Sequence, residues 1–307
     1  MDRRTVAQAV TAVALVAGGA VICAQALLPS VPPKKFGGSI TPVYEGWFDN
    51  PDGTHTFLIG YFSRNTEAEI DVPIGPNNRF EPGNPDMGQP THFLPSRRYG
   101  MFTVTVPKEF TPQQKISWSL TVSGVTTSIP FYMSPDYNIT PSQSSEEATD
   151  GGYNLPPILR FDPAGPAFPG PVATPLKAVL RTASVAKPMS LDIWADDDAK
   201  HTSGSGTPLR TAPPPVTLTV SKYRGPGTVT FSDTRPKMET LKGGKLGEPY
   251  SGKASTSVTF GEPGEYMIHV TANDYSGNGG GGFACCWTTG LVRVTVKGAG
   301  PVPTGGQ

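Results

Sequence analysis

The chain has 307 residues, which is enough for two domains of ordinary size. Its 25 basic and 25 acidic side chains cancel, so it lacks the basic excess of nucleic-acid-binding proteins, and we expect no nucleic-acid partner. With 36 glycines, 34 prolines and no long helical period beyond the N-terminus, the composition favours turns and short strands.

The N-terminal segment, 1–26, has the features of a secretory signal. Basic residues at its start are followed by a nearly uncharged apolar run, and Ala24-Gln25-Ala26 fits a small-x-small cleavage site. The run, 5–26, is also long enough to anchor the chain in a membrane if it is not cleaved. Cys23 could instead carry a lipid, although the bulky Ile22 before it departs from the usual attachment pattern. We predict an exported protein, periplasmic, cell-surface or extracellular, that meets a membrane only through an uncleaved 5–26 segment.

Residues 36–135 are predicted to form a first β-sandwich. Segment 57–62 is apolar on both faces, which is typical of a central strand. Segments 102–106 and 116–122 alternate apolar and small polar residues, the period of a strand with one buried face. Gly124 then precedes a further strand, 125–131, so the last two strands are expected to form a hairpin.

Part of this region resembles a known module. The residues concerned are Gly60-Tyr61, Asn65, Val72 to Gly75, Asn78, Phe80, Gly88 to Thr91 and Phe93. Their pattern is similar to that of a β-sandwich module that recurs in secreted bacterial proteins. The resemblance implies a sandwich and no assigned activity.

The proline-rich segment 73–100 is the candidate binding loop, because long loops without secondary structure are often functional. Its side chains could bind a polar ligand such as a glycan; those concerned are Asn78, Arg79, Gln89, His92, Arg97 and Arg98. The alternative, which we favour, is a proline-stiffened loop that covers a sheet edge.

Residues 136–175 are rich in Ser, Gly and Pro and are predicted to be a semi-extended linker. Within them, Ile158 to Phe161 could add an edge strand to the domain that follows. A second β-sandwich is predicted over 176–297, and a flexible tail over 298–307.

Four alternating segments in the second domain are separated by glycine- and proline-containing turns. They are 216–221, 229–231, 256–260 and 266–272, and such spacing is typical of a β-sandwich. The residues Gly225 to Ser232, Thr256, Phe260, Pro263 to Tyr266 and Thr271 to Asp274 resemble the PKD-type, Ig-like domains of bacterial extracellular proteins. This resemblance implies a seven-stranded spacer or adhesive module without catalytic residues. The predicted fold is therefore all-β: two Ig-like β-sandwich domains after an N-terminal signal or anchor helix.

Three adjacent carboxylates, Asp196, Asp197 and Asp198, follow the strand that contains Leu191 and Ile193. Calcium prefers six to eight oxygen ligands, and Asp274, at the end of another strand, could supply a further one. The sequence therefore predicts a candidate calcium site and no other cofactor site. The alternative is a solvated acidic turn that binds no metal.

The adjacent Cys285 and Cys286 precede Trp287 near the C-terminus, and bacterial exported proteins of unassigned activity show a similar segment. An oxidising compartment would favour a vicinal disulfide between the two, although their close Cα atoms imply a strained ring. The alternatives are two unpaired thiols, or an intermolecular bridge or soft-metal site. His269 could add a metal ligand, but its mid-strand position predicts an exposed, outward side chain.

The sequence contains no H-E-x-x-H, G-x-S-x-G or P-loop motif, so we expect no enzyme. The predicted function is that of an exported, non-catalytic binding or structural protein of the bacterial cell envelope, whose partner is a cell-surface protein or glycan. Two alternatives stay open. One is an accessory carbohydrate-binding or hydrolytic protein that uses the 73–100 loop, and the other is a redox or metal-handling protein that uses Cys285-Cys286.

Overall fold

A computed structural model of the protein describes residues 34–139, 154–171, 173–200, 214–245, 248–274 and 286–298. These residues form strands, turns and only two short 3-10 helices, Pro135–Tyr137 and Pro175–Lys177, which confirms the all-β prediction. The predicted leader, 1–26, lies outside the described residues, as does the predicted tail beyond Gly298. In the described part of the chain, no helix is long and apolar enough to cross a membrane.

The first sandwich contains eight strands. They are β1 (Ile40–Asp49), β2 (His55–Ser63), β3 (Ile70–Asp71), β4 (Asn78–Glu81), β5 (His92–Phe93), β6 (Ser96–Val106), β7 (Ile116–Val122) and β8 (Val125–Phe131). One antiparallel sheet has the order β1-β2-β6 and the other has the order β4-β7-β8, while β3 pairs with β5. Residues of both sheets form one aromatic core, in which Trp118 stacks on Phe80 with ring centroids 5.8 Å apart.

The β7–β8 hairpin shows how the sequence dictates the local structure. Ile116, Trp118, Leu120 and Val122 are buried, and the small polar residues between them are half-buried, as the period-two pattern predicts. The two turn residues, Ser123 and Gly124, both have positive φ angles, of 52° and 74°. Such angles characterise the tight turn whose twist matches that of two antiparallel strands.

In the residues that the structure describes, the second sandwich contains ten strands. They are β9 (Ile158–Arg160), β10 (Phe168–Pro169), β11 (Val179–Ser184), β12 (Met189–Asp197), β13 (Thr217–Arg224), β14 (Val229–Phe231), β15 (Glu239–Lys242), β16 (Tyr250–Phe260), β17 (Gly264–Asn273) and β18 (Trp287–Lys297). One sheet has the order β10-β9-β12-β16-β14, with β15 also on β16, and the other has the order β11-β18-β17-β13. Strands β9 and β10 belong to the segment predicted as a linker. Strand β9 pairs with β12, and β10, rather than β9, is the edge strand of that sheet.

Part of the outer face of the β11-β18-β17-β13 sheet is buried against the first sandwich. Tyr223, Met267 and Leu291 belong to the same hydrophobic cluster as the core of the first sandwich. The ring of Trp287 packs on Gly100, where an added Cβ atom would lie 2.7 Å from the indole. Described residues of both sandwiches thus belong to one compact unit, 33–307.

This packing corrects the prediction for His269. We expected its side chain to be exposed because it lies on the outward face of a strand, but only 2% of the residue is exposed. The outward face of β17 faces the other sandwich rather than solvent, and the His269 ring stacks on that of Tyr223 with centroids 5.7 Å apart.

Candidate functional site

A groove of about 740 Å³ lies between the two sandwiches, and we call it the inter-sandwich groove. The first sandwich lines it with Glu69, Asp71, His92, Leu94 and Arg98. The second lines it with Thr219 to Lys222, Pro226 to Phe231, Thr234, Arg235 and Glu262. Carboxylates and cationic groups from both sandwiches, with hydroxyl groups from the second, therefore face one space, where they can form hydrogen bonds with a polar ligand.

A charged network fixes the wall of the groove where the two sandwiches meet. His92 Nε2 lies 3.1 Å from Glu69 Oε2, and His92 Nδ1 lies 3.0 Å from Asp71 Oδ1. Lys222 Nζ, from the second sandwich, lies 3.1 Å from the same Asp71 oxygen. The His92 and Lys222 side chains are each only 8% exposed. The hydrogen bond with His92 lowers the pKa of Glu69, and this effect outweighs the opposing one of partial burial.

A second contact holds the predicted binding loop to β13. The Arg224 guanidinium donates to both carboxylate oxygens of Asp86, at 2.9 and 2.7 Å, and its Nε donates to the Gln89 carbonyl at 2.7 Å. Burial alone would raise the pKa of Asp86, but the hydrogen bonds from Arg224 and from the Gly88 amide hold it below its ordinary value. This bidentate pair fixes both the distance and the orientation between loop and strand.

The same loop covers a sheet edge, and that edge belongs to the other sandwich. The Thr91 amide donates to the Tyr223 carbonyl at 3.2 Å, and the Tyr223 hydroxyl donates to the Gly88 carbonyl at 2.6 Å. Since β13 is the last strand of its sheet, the bond from Thr91 satisfies a backbone carbonyl on an edge that would otherwise be open there.

Two of the six predicted ligand-binding side chains hold the loop together from within. Asn78 is fully buried, donates to the Val72 and Pro90 carbonyls at 2.9 and 2.8 Å, and accepts from the Trp118 indole at 2.8 Å. Gln89 is also fully buried and bonds to the backbone of residues 85 and 87. Both side chains therefore face protein groups rather than the groove.

The four remaining predicted residues of this loop differ in position. His92 and Arg98 line the inter-sandwich groove. Arg97 pairs with the half-buried Glu45 at 2.6 Å; burial raises the pKa of Glu45, and Arg97 only partly offsets this effect. Arg79 lies near the surface beside Glu81 and does not line the groove.

The structure separates the three adjacent carboxylates that, with Asp274, were predicted to hold calcium. Asp196 lies on the outward face of β12 and pairs with Arg160. Asp197 lies on the inward face and is buried, while Asp198 accepts hydrogen bonds from the Leu155 and Lys200 amides. Burial, together with the nearby carboxylates of Asp274 and Asp198, raises the pKa of Asp197 to about 8, against an opposing hydrogen bond from the Ala199 amide.

Asp197 and Asp274 therefore come close together, as the calcium prediction requires. Among the residues that the structure describes, however, no group of three or more His, Cys, Asp or Glu side chains has a geometry that could hold a metal ion. The calcium site stays a prediction.

The segment that contains the cysteines lies beside Asp274. Cys286 is disulfide-bonded and only 1% exposed, and its carbonyl accepts from the Asp274 amide at 3.1 Å. Cys285 lies outside the described residues, so the pairing of the two adjacent cysteines stays a prediction.

Several residues of the groove escaped sequence reasoning. Lys222, Thr219 and Ser221 lie on β13, and their alternation with apolar residues predicts a strand but not what its outer face meets. Arg224, which holds the loop to β13, was missed as well. Its local signal was its position, since it is a charged residue between the aromatic Tyr223 and the turn at Gly225. Its partner Asp86 is 138 positions away, and no local pattern joins the two.

Comparisons with known proteins give weak likenesses. No family model matches the chain, and no curated protein matches it. Among solved structures, a protein of unknown function from Porphyromonas gingivalis is 10% identical, with a TM-score of 0.21, over 84% of this chain and 100% of that chain. Domains 4 and 5 of the S-layer protein SbsC are 10% identical, with a TM-score of 0.20, over 84% and 97% of the two chains. CfaE, the adhesive subunit of the CFA/I fimbria of enterotoxigenic Escherichia coli, is 8% identical, with a TM-score of 0.23, over 87% and 80%. At these TM-scores the likenesses carry no argument about this chain.

Proposed function

We propose that the protein is an exported, non-catalytic binding protein of the bacterial cell envelope that holds a surface glycan or a cell-surface protein in the inter-sandwich groove. One observation carries this proposal: His92 and Arg98, from the predicted binding loop, line a single groove together with the polar residues of β13. A site built from two modules at their junction is a common arrangement for ligand binding.

The contacts that join the two walls of the groove support this role. Asp71–Lys222 and Asp86–Arg224 join the first sandwich to β13, and the Tyr223 side chain lies in the core of the first sandwich. Because both walls are fixed before any ligand arrives, little conformational entropy is lost on binding. The groove is therefore preorganised for its ligand.

The chemistry of the walls favours a ligand rich in hydroxyl groups. Thr219, Ser221 and Thr230 offer hydroxyls, while Glu262 and Arg235 offer an acceptor and a donor of opposite charge. Sugars present closely spaced donors and acceptors, which such mixed polar walls can match. We therefore place a glycan first and a protein partner second.

The test is a glycan array, with the full chain and two arginine variants. Arg98→Ala removes a groove cation, and Arg79→Ala removes an exposed arginine of the same loop that does not line the groove. We expect binding that Arg98→Ala weakens at least about tenfold and that Arg79→Ala leaves unchanged. Equal loss in both variants, or equal retention in both, would contradict the groove as the site.

The same experiment separates the alternative functions. Any glycan that binds is incubated with the protein, and its mass is then measured. Release of shorter fragments would replace the proposed role with the hydrolytic one. Binding to envelope proteins in the absence of any glycan would favour the protein partner.

A further inference from the structure

The two arginines of the inter-sandwich groove differ from the other described arginines in what their guanidinium groups bind. Every other arginine in the described part of the chain donates at least one hydrogen bond from a terminal guanidinium nitrogen, as Arg97 does to Glu45 and Arg224 does to Asp86. Arg98 and Arg235, which line the groove, donate none from these nitrogens to any described residue. One free guanidinium group therefore lies on each wall of the groove.

Arg98 is held in a way that leaves its terminal nitrogens available. Its Nε donates to the Pro95 carbonyl at 3.1 Å, and the residue is half-buried. This bond restricts the orientation of the guanidinium group, so less conformational entropy is lost when a ligand binds there. The planar group presents parallel N–H donors that match the two oxygens of a carboxylate or a phosphate.

The acids that line the groove do not pair with either arginine. Glu69 and Asp71 are bonded to His92, and Asp71 also lies 3.1 Å from Lys222 Nζ. The charge of Arg98 helps to lower the pKa of Glu69, although the two side chains form no ion pair. Glu262 is exposed and is an acceptor for ligand hydroxyl groups. What the groove offers to an acidic ligand group is therefore its two arginines.

We propose that the groove takes an acidic glycan, with one of its acidic groups held bidentately by Arg98 and another bound by Arg235. This inference rests on the proposed function, because it names the class of glycan that the same groove binds. The recognised chemistry is an oxyanion, which a uronic acid supplies as a carboxylate and a phosphorylated sugar supplies as a phosphate. The hydroxyl groups of Thr219 and Ser221 remain for the neutral positions of the sugar.

The test uses three tetrasaccharides that differ only at carbon 6 of each sugar. They are α-1,4-linked tetragalactose, the matching tetragalacturonate, and tetragalactose with a phosphate ester at each carbon 6. Their affinities for the full-length protein are measured by isothermal titration calorimetry in about 0.15 M salt, where long-range attraction between charges is screened. We expect at least one acidic tetrasaccharide to bind at least about tenfold more tightly than the neutral one. Comparison of the two acidic forms identifies the preferred oxyanion.

Four variants assign that preference to the two arginines. Arg98→Ala and Arg235→Ala should each weaken the acidic sugar at least about fivefold and leave the neutral sugar less affected. Arg79→Ala and Lys237→Ala remove cations of the same two regions that do not line the groove, and they should change neither affinity. Arg98→Lys keeps the charge but lacks the planar pair of donors, so it should also weaken the acidic sugar.

Several outcomes would overturn the inference. They are equal binding of all three sugars, no binding of either acidic sugar at about 1 mM, and full retention of the acidic preference in both alanine variants of the groove. If Arg98→Ala does not fold, the exposed Arg235 still provides the test. Equal weakening of the neutral and acidic sugars by Arg98→Ala would leave the groove as a glycan site and refute only the acidic preference. Failure of the proposed function itself would appear instead as the absence of any Arg98-dependent binding on the glycan array.

Discussion

Protonation of His269 should destabilise the contact between the two sandwiches in acid. Burial lowers the pKa of His269 to about 4; a hydrogen bond with the Met101 backbone opposes this shift, and nearby Arg98 contributes to it. In the unfolded chain the ordinary value is about 6.5. Between these pH values the unfolded chain binds more protons than the folded protein, so the free energy of unfolding falls as the pH falls.

The size of this effect follows from the two pKa values. At about 1.4 kcal/mol per pKa unit, His269 should lower the free energy of unfolding by about 3 kcal/mol between pH 7 and pH 4. The loss begins near pH 6.5, the ordinary value, and is complete below pH 4. The ring stacks on Tyr223, and none of the described residues that shift its pKa is acidic.

The assay compares the wild type with His269→Phe, which keeps a ring on Tyr223 but cannot be protonated. Urea unfolding, followed by tryptophan fluorescence, gives the free energy of unfolding of each protein from pH 8 to pH 4. Carboxylates such as Glu69 and Asp86 titrate in both proteins, so the difference between the two curves isolates His269. We expect a constant difference above pH 7 and a fall of about 3 kcal/mol below it.

A difference that stays constant down to pH 4 would refute this reasoning. A direct check is the titration of the His269 ring by nuclear magnetic resonance. A midpoint near 6.5 would mean that the ring is solvated and that the interface is open in solution.

Three further predictions concern stability and covalent state. Arg224→Lys should lower the free energy of unfolding, measured by urea unfolding, by about 1–3 kcal/mol, because an ammonium cannot form the bidentate pair. Arg181→Lys, at a more exposed ion pair, should lower it by less than about 1 kcal/mol, and equal losses would contradict this ranking. Asn78→Ala should cost about 2–4 kcal/mol in the same assay, since three buried hydrogen bonds are lost, and a cost below 1 kcal/mol would show that the loop is not held from within. Intact mass without reductant should be lower by two hydrogen atoms than after reduction, and Cys286→Ser should abolish that difference; free alkylation of the unreduced wild type would contradict the disulfide.

The loop 73–100 shows how much of the structure a local sequence pattern can predict. Its prolines and glycines predict a structured turn-rich segment, and the alternative of a loop that covers a sheet edge also follows from composition. Neither pattern reveals that the covered edge is β13 of the other sandwich, through Thr91 and Tyr223. The sequence also does not show that Asn78 faces inward while His92 faces the groove, because both are polar residues in an irregular segment.

The sequence alone determined the all-β fold class, because strand formation depends on a period of two residues and on turn residues that lie next to each other in the chain. Ile116 to Val122 and the Ser123-Gly124 turn are of this kind. Tertiary structure decided the site. His269, Trp287 and Tyr223 lie on outward strand faces. They are buried only because the β11-β18-β17-β13 sheet packs against the first sandwich. Such packing joins residues more than a hundred positions apart, as in Asp86–Arg224, and no local periodicity encodes a contact over that separation.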